Sequence, residues 1–196
     1  MMKKTFLLVL GIVALGISNA QAVVDLSKYP TGELVGKADL QTTTPGNAVK
    51  GEVRFFKTDF GLRVVGNVEG LIPGKHGIHI HENGDCAEAG KAAGGHYNPH
   101  GVAHGFIPKD TAAKAHVGDM GNVTVDSSGH GDFSVDMVGV HMNGVNPVDG
   151  KAVILHEKED DFGQPTGNAG GRIACGIIQS GTEEMLKEDN AGAGSK

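Results

Sequence analysis

What most constrains the fold is rhythm. Short runs of β-branched and aromatic residues are cut every few positions by Gly, Pro, Asn or Asp, and helical periodicity is hard to find. Gly supplies 32 of 196 residues and Trp none, the punctuation of a chain that turns often. Strands are predicted over 34–40, 51–57, 62–68, 77–81, 121–125, 131–136, 152–156 and 172–178. Eight short strands make an all-β domain, a Greek-key flattened barrel or immunoglobulin-like sandwich. Two segments break the rhythm, 82–119 and 157–171. Loops of that length without regular structure are functional or disordered. The first carries four of the ten histidines and both carry much glycine, which favours function.

The N-terminus reads as a secretory signal. Lys3 and Lys4 precede an apolar run from Phe6 to Ile17 and then Ala20-Gln21-Ala22, so cleavage is expected after Ala22 and the chain is expected to be exported. The apolar run is shorter than the roughly 20 residues a spanning helix needs. Removing residues 1–22 leaves 15 basic against 23 acidic side chains and moves the formal net charge from −6 to −8. Such a surface argues against nucleic acid or an anionic membrane as partner, since both select basic patches. Cys86 and Cys175 lie 89 positions apart; in an oxidising compartment they are expected to pair, two separate buried thiols being the alternative. Residues 23–33 read as an arm, 34–179 as the β domain, and 180–196 as a mobile tail with too few apolar groups to pack.

The histidines carry the chemistry. In Gly77-Ile78-His79-Ile80-His81 an extended backbone puts both imidazoles on one side, about 7 Å apart, and both isoleucines on the other. His96, His104, His116 and Asp119 offer three nitrogens and one oxygen from a single loop, a set that suits tetrahedral zinc with no open position. That loop is polar and rich in glycine, so a metal is a plausible organiser of it. His156 ends the apolar run of 152–156 at the barrel rim. An all-imidazole set of His79, His81, His156 and one loop histidine is what divalent copper prefers. His76 reads as a structural hydrogen-bonding residue, His100 as wrongly spaced for ligation, and His130 and His141 as turn or surface residues.

Taken together, Gly77 to Glu82, Gly95 to Pro99, His116 to Asp119, Val153 to Lys158 and Gly167 to Gly176 resemble the exported bacterial members of the copper/zinc superoxide dismutase family. The resemblance runs from about Leu34 to Ile178. It implies that superoxide is converted to O2 and H2O2 at a redox-cycling copper beside a structural zinc. It assigns His79, His81, His96 and His156 to copper and His96, His104, His116 and Asp119 to zinc, with His96 shared. It also implies that Asp160 links a copper histidine to a zinc histidine, that Cys86 and Cys175 form the disulfide, and that Arg172 guides the anion. A non-catalytic copper/zinc-binding or metal-delivery module is the alternative, which retention of every ligand and of Arg172 disfavours. Segment 161–172 holds no lysine, so positive guidance beyond Arg172 is expected from Lys91, Lys109 or Lys114. A monomer and a homodimer both remain open.

Overall fold

Alternation of side chains decides which way each strand faces. Residues 131–138 alternate buried and exposed without a break, the mark of a strand with one face on a core and one in water. The computed structural model describes residues 32–46 and 48–181. The expected signal, most of the expected arm and the tail beyond 181 lie outside the described residues. The strands are β1 (Leu34–Thr42), β2 (Lys50–Thr58), β3 (Gly61–Glu69), β4 (Gly74–His81), β5 (Asp119–Val125), β6 (Gly131–Val138), β7 (Ala152–His156), β8 (Arg172–Ile177) and β9 (Gln179–Ser180).

All eight expected strands form, and four details differ. The short β9 is a ninth strand, pairing with β1 through Gly36 and Lys37, so Ser180, expected in the tail, belongs to the sheet. β4 begins at Gly74, earlier than the histidine motif suggested. Asp119 opens β5 instead of lying in the loop. The first long loop also has regular structure of its own, a 3-10 turn at Lys91–Ala93 and α1 at Ile107–Asp110. These turns are too short to leave a periodic apolar signal.

The spatial order is β5-β4-β7-β8-β1-β2-β3-β6, every pairing antiparallel. With β5-β4-β7-β8 as one wall and β1-β2-β3-β6 as the other, the chain crosses between them at β3 to β4, β5 to β6 and β6 to β7, which is a Greek key. β5 and β6 end the order without pairing but are joined by a tight turn in which the Asp126 N–H donates to the His130 carbonyl at 2.8 Å. The result is a nearly closed eight-stranded barrel.

Its core includes Leu40, Val53, Phe55, Val64, Ile78, Ile80, Val123, Val153 and Leu155. Each side chain of this size contributes about 1.5–3 kcal/mol when fully buried. The buried His79 and His81 stand on the opposite face of β4, beside Ile154 and Ala152 of β7. Both faces of β4 and β7 are therefore covered, one by the barrel interior and the other by the two long loops. A small second core of Ala93, Ala152, Ile154 and Cys175, with Cys86 packed on it, lies under the first loop.

Candidate metal centre

The site sits outside the barrel, between β4–β7 and the loops that cover them. Gly77 keeps that layer thin. It lies one pleat before His79, and a Cβ there would stand 2.9 Å from the Ala169 Cβ and 3.3 Å from the Asp160 Cβ. The first loop is tied to β4 by backbone. The Tyr97 N–H donates to the Ile80 carbonyl at 2.8 Å, the Gly118 N–H to the Tyr97 carbonyl at 3.0 Å, and the Ile80 N–H to the Gly118 carbonyl at 2.9 Å. His81 and His96 are bridge partners. These bonds bring His79 and His81, His96, and the His116 to Asp119 segment to one place.

Two groups of donor atoms result, each within 4.8 Å: His79, His81, His96 and His156, and then His96, His104, His116 and Asp119. His96 belongs to both. All seven side chains are buried, His79 and Asp119 completely.

In the first group, each strand histidine has one ring nitrogen bonded outward and the other left free. His79 Nε2 lies 2.8 Å from Asp160 Oδ2, His81 Nδ1 lies 3.0 Å from the Gly94 carbonyl, and His156 Nδ1 lies 3.4 Å from the Gly170 carbonyl. The acceptors fix the tautomer, each N–H pointing outward. His79 Nδ1, His81 Nε2 and His156 Nε2 are buried with no hydrogen-bond partner. Buried polar atoms are ordinarily satisfied; three unprotonated nitrogens converging in one place fit a bound cation.

The second group closes on Asp119. Its Oδ1 lies 2.9 Å from His96 Nδ1 and 3.1 Å from His116 Nδ1, and its Oδ2 lies 2.9 Å from His104 Nδ1. His104 Nδ1 nevertheless has no hydrogen-bond partner. A tetrahedral zinc with bonds near 2.0 Å separates its ligand atoms by about 3.3 Å, so three nitrogens and one carboxylate at this spacing fit it.

Asp160, completely buried, joins the groups: Oδ2 meets His79 Nε2, and Oδ1 meets His104 Nε2 at 2.9 Å. Reciprocal amide bonds hold its backbone, the Asp160 N–H donating to Asn122 Oδ1 at 2.8 Å and Asn122 Nδ2 to the Asp160 carbonyl at 2.9 Å. Gln164 does the same for His104, at 3.0 and 2.9 Å.

The charges follow. Burial, reinforced by neighbouring imidazoles, pushes the pKa of His81 down to about 2, of His96 to about 4 and of His156 to about 3, so all three are neutral at pH 7. Burial also opposes charge on His104, but the carboxylates of Asp119 and Asp160 outweigh it and raise the value to about 9. Burial disfavours charge on Asp119 and Asp160 too, yet imidazole hydrogen bonds, first from His104, hold both well below the usual carboxylate range.

Arg172 opens β8 and is half-buried, its guanidinium donating to the Gly90 and Gly94 carbonyls of the first loop. Cys175, three residues on, is bonded to Cys86 with Cα atoms 5.7 Å apart. Every expected site residue is therefore brought to one region, and the expected disulfide is present. His76, read as structural, is buried between the His156 and Ile72 carbonyls at 3.0 Å each. His100 bonds Asn146 and His130 bonds Asp132, while His141 bridges to Pro147; all three lie outside both groups. Sequence reasoning missed the Gly94 and Gly170 carbonyls, Asn122 and Gln164. No residue-type signal marks a backbone acceptor or an amide clamp.

Fold and site together define an antiparallel β-barrel metalloprotein with two adjacent nitrogen-rich sites that share one imidazole. A family model described as "Copper/zinc superoxide dismutase (SODC)" matches residues 49–178. The chain is 40% identical over 148 residues to "Extracellular superoxide dismutase [Cu-Zn]" of Caenorhabditis elegans, the match covering 72% of this chain and 66% of that one. It is 44% identical over 138 residues to "Superoxide dismutase [Cu-Zn] A" of Xenopus laevis, covering 66% and 89%. A solved structure titled "Crystal Structure Analysis of the clock protein EA4" superposes with a TM-score of 0.67 at 36% identity, covering 76% of this chain and 96% of that one. The chain belongs to the copper/zinc superoxide dismutase family. Its cofactors are copper and zinc, and its activity is superoxide dismutation.

Proposed function

We propose that His79, His81, His96 and His156 hold the copper of this dismutase and that His96, His104, His116 and Asp119 hold the zinc. The observation that carries the assignment is the set of three buried, unpartnered nitrogens on His79, His81 and His156, facing an imidazole whose other nitrogen belongs to the Asp119 cluster. Copper when bound supplies a one-electron redox couple, and zinc supplies a fixed charge without redox chemistry. The protein does the rest. Arg172 presents a fixed positive charge to the incoming anion, stabilising it electrostatically, and the carbonyls of Gly90 and Gly94 keep the guanidinium aimed. Nδ1 of His96 stays with Asp119, so Nε2 is the atom that takes up a proton and gives it to the departing peroxide. Asp160 fixes the tautomers of His79 and His104. Loops and barrel keep bulk water from the ligands.

Lys91 directly follows Gly90, whose carbonyl receives Arg172, which favours it over Lys109 and Lys114 as the outer end of a positive funnel. Export by a signal ending at Ala22 rests on the N-terminal pattern, a periplasmic location on the resemblance to exported bacterial members of the family, and the domain boundaries on the composition along the chain. N-terminal sequencing of exported protein would find Val23 first; retention of Met1 would refute cleavage. The test of the ligand assignment is His96→Ala with metal analysis. Both ions should be weakened and dismutation lost; a variant that keeps both ions and full activity would overturn the sharing of His96.

A further inference from the structure

We infer that Lys151 is a positioning residue for the shared imidazole of His96. Lys151 stands immediately before β7, the strand that ends in His156. Its ammonium lies 4.0 Å from the centroid of the Tyr97 ring and donates to the Glu82 carbonyl at 3.3 Å. Tyr97 follows His96, and Glu82 follows His81. One cation thus touches the residue next to each of two histidines whose rings meet edge-on, with centroids 5.0 Å apart, in the first donor group.

The backbone between these contacts is already latched. The Glu82 N–H donates to the Gly95 carbonyl at 3.0 Å, and Glu82 Oε1 accepts the Gly95 N–H at 3.0 Å. Those bonds fix where the two chains run. The Tyr97 backbone is held as well, its N–H by the Ile80 carbonyl and its carbonyl by the Gly118 N–H; what these bonds leave open is the seat of the Tyr97 ring, and the Lys151 ammonium acts there. A cation over a ring is attracted by the negative face, and the attraction strengthens as water is excluded; the Tyr97 ring is buried. The same ammonium satisfies a carbonyl at the exit of β4, so the ring, the strand end and the cation form a rigid three-point contact. Its product is the spacing between His81 and His96, which is the geometry of the first donor group.

This inference rests on that group being the copper site. The test loads Lys151→Met, Lys151→Arg and Tyr97→Leu with copper and zinc. Copper affinity is measured by competition with a chelator, and the ligand field by electron paramagnetic resonance and the visible spectrum. Partners that orient ligands are worth about 10–100-fold in metal affinity. Because Lys151 acts one residue removed from the ligands, the expected loss for Lys151→Met is the lower figure, about 10-fold for copper, with a changed copper hyperfine splitting and zinc held as in the parent. Lys151→Arg, which keeps a cation over the ring, should restore affinity and spectrum. Tyr97→Leu should reproduce Lys151→Met, and the double variant should be no worse than either single one. Parent-like copper affinity and spectrum in Lys151→Met would overturn the inference. So would equal loss of both metals and thermal stability with no rescue by arginine, which is the signature of a merely structural lysine. If the parent itself binds no copper through His79, His81 and His156, the ligand assignment fails and this inference with it.

Discussion

Replacing Asp160 by asparagine tests whether one buried carboxylate organises two metals. The carboxylate accepts on both oxygens, from His79 Nε2 at 2.8 Å and His104 Nε2 at 2.9 Å, while Oδ1 also takes the Phe162 N–H at 2.8 Å. Asparagine of the same shape keeps one acceptor and places an NH2 against the other imidazole. That imidazole must then present an unprotonated nitrogen to the NH2, which moves its proton to the nitrogen facing the ion. For His79 this is Nδ1, now free; for His104 it is Nδ1 beside Asp119. Either way one donor is lost to the wrong tautomer. Losses of this kind run to about 10–100-fold in affinity, or about 1.4–2.7 kcal/mol, and each metal has one histidine at risk. Because Oδ1 also holds the Phe162 N–H, the amide oxygen takes that side and the NH2 faces His79, so chelator competition should show copper weakened in Asp160→Asn and zinc less so. Nuclear magnetic resonance of the metal-free variant should also show the His104 pKa falling from about 9, because one of two carboxylates has gone. Parent-like copper affinity would refute the reasoning, as would an unmoved His104.

Three further outcomes are expected. Gly167→Ala should lose metal and stability together, because φ is +78° there and the added Cβ would overlap Asp160 Oδ1 and stand 2.7 Å from His104 Nε2; paired metal analysis and thermal melting would check it. Cys175→Ser opens a closure spanning 89 positions and should cost about 4–5 kcal/mol by loop-closure reasoning, read as a lowered denaturant midpoint with Arg172 freed and activity reduced. The metal-free protein should be most stable near the ordinary histidine value of 6.5. Below it, His81, His96 and His156 stay neutral in the folded state while the unfolded chain takes up protons, so stability falls as pH drops from 6.5 toward about 4. Above it, His104 contributes with the opposite sign, its stabilisation being lost as pH rises through about 9. Urea midpoints across that range would show the maximum, and a monotonic profile would contradict it.

The donor cluster was legible from one periodicity and one composition. A strand alternates its side chains, so His79 and His81 had to share a face whatever the barrel did with Ile78 and Ile80, and a loop holding His96, His104 and His116 too polar to pack needed another organiser. The barrel was legible from punctuation, although the ninth strand was not: Gln179 and Ser180 pair through backbone alone, and both side chains are exposed. Which nitrogen faces which ion was beyond the sequence, since it depends on the carbonyls of Gly94 and Gly170, supplied by backbone conformation. The clamps of Asn122 and Gln164 were hidden for a related reason. Each joins segments distant in the chain, and an amide reads the same in a clamp as on a surface.

The two donor groups differ in provenance, with a kinetic consequence. His79, His81 and His156 stand on β4 and β7, which pair directly. Pairing of those two strands sets three of the four donors of the first group at once. His104 and His116 lie between β4 and β5, outside any strand, and Asp119 begins β5. β4 meets β5 across 40 positions, from His79 to Asp119, and meets β7 across 75, from His79 to Ile154. The shorter closure costs less chain entropy, so in a refolding chain Asp119 reaches His79 before β7 brings in His156, and the first donor group is the one completed last. Amides of β4 and β5 should gain protection from hydrogen exchange before those of β7, and filling of the first pocket is what records completion of the fold.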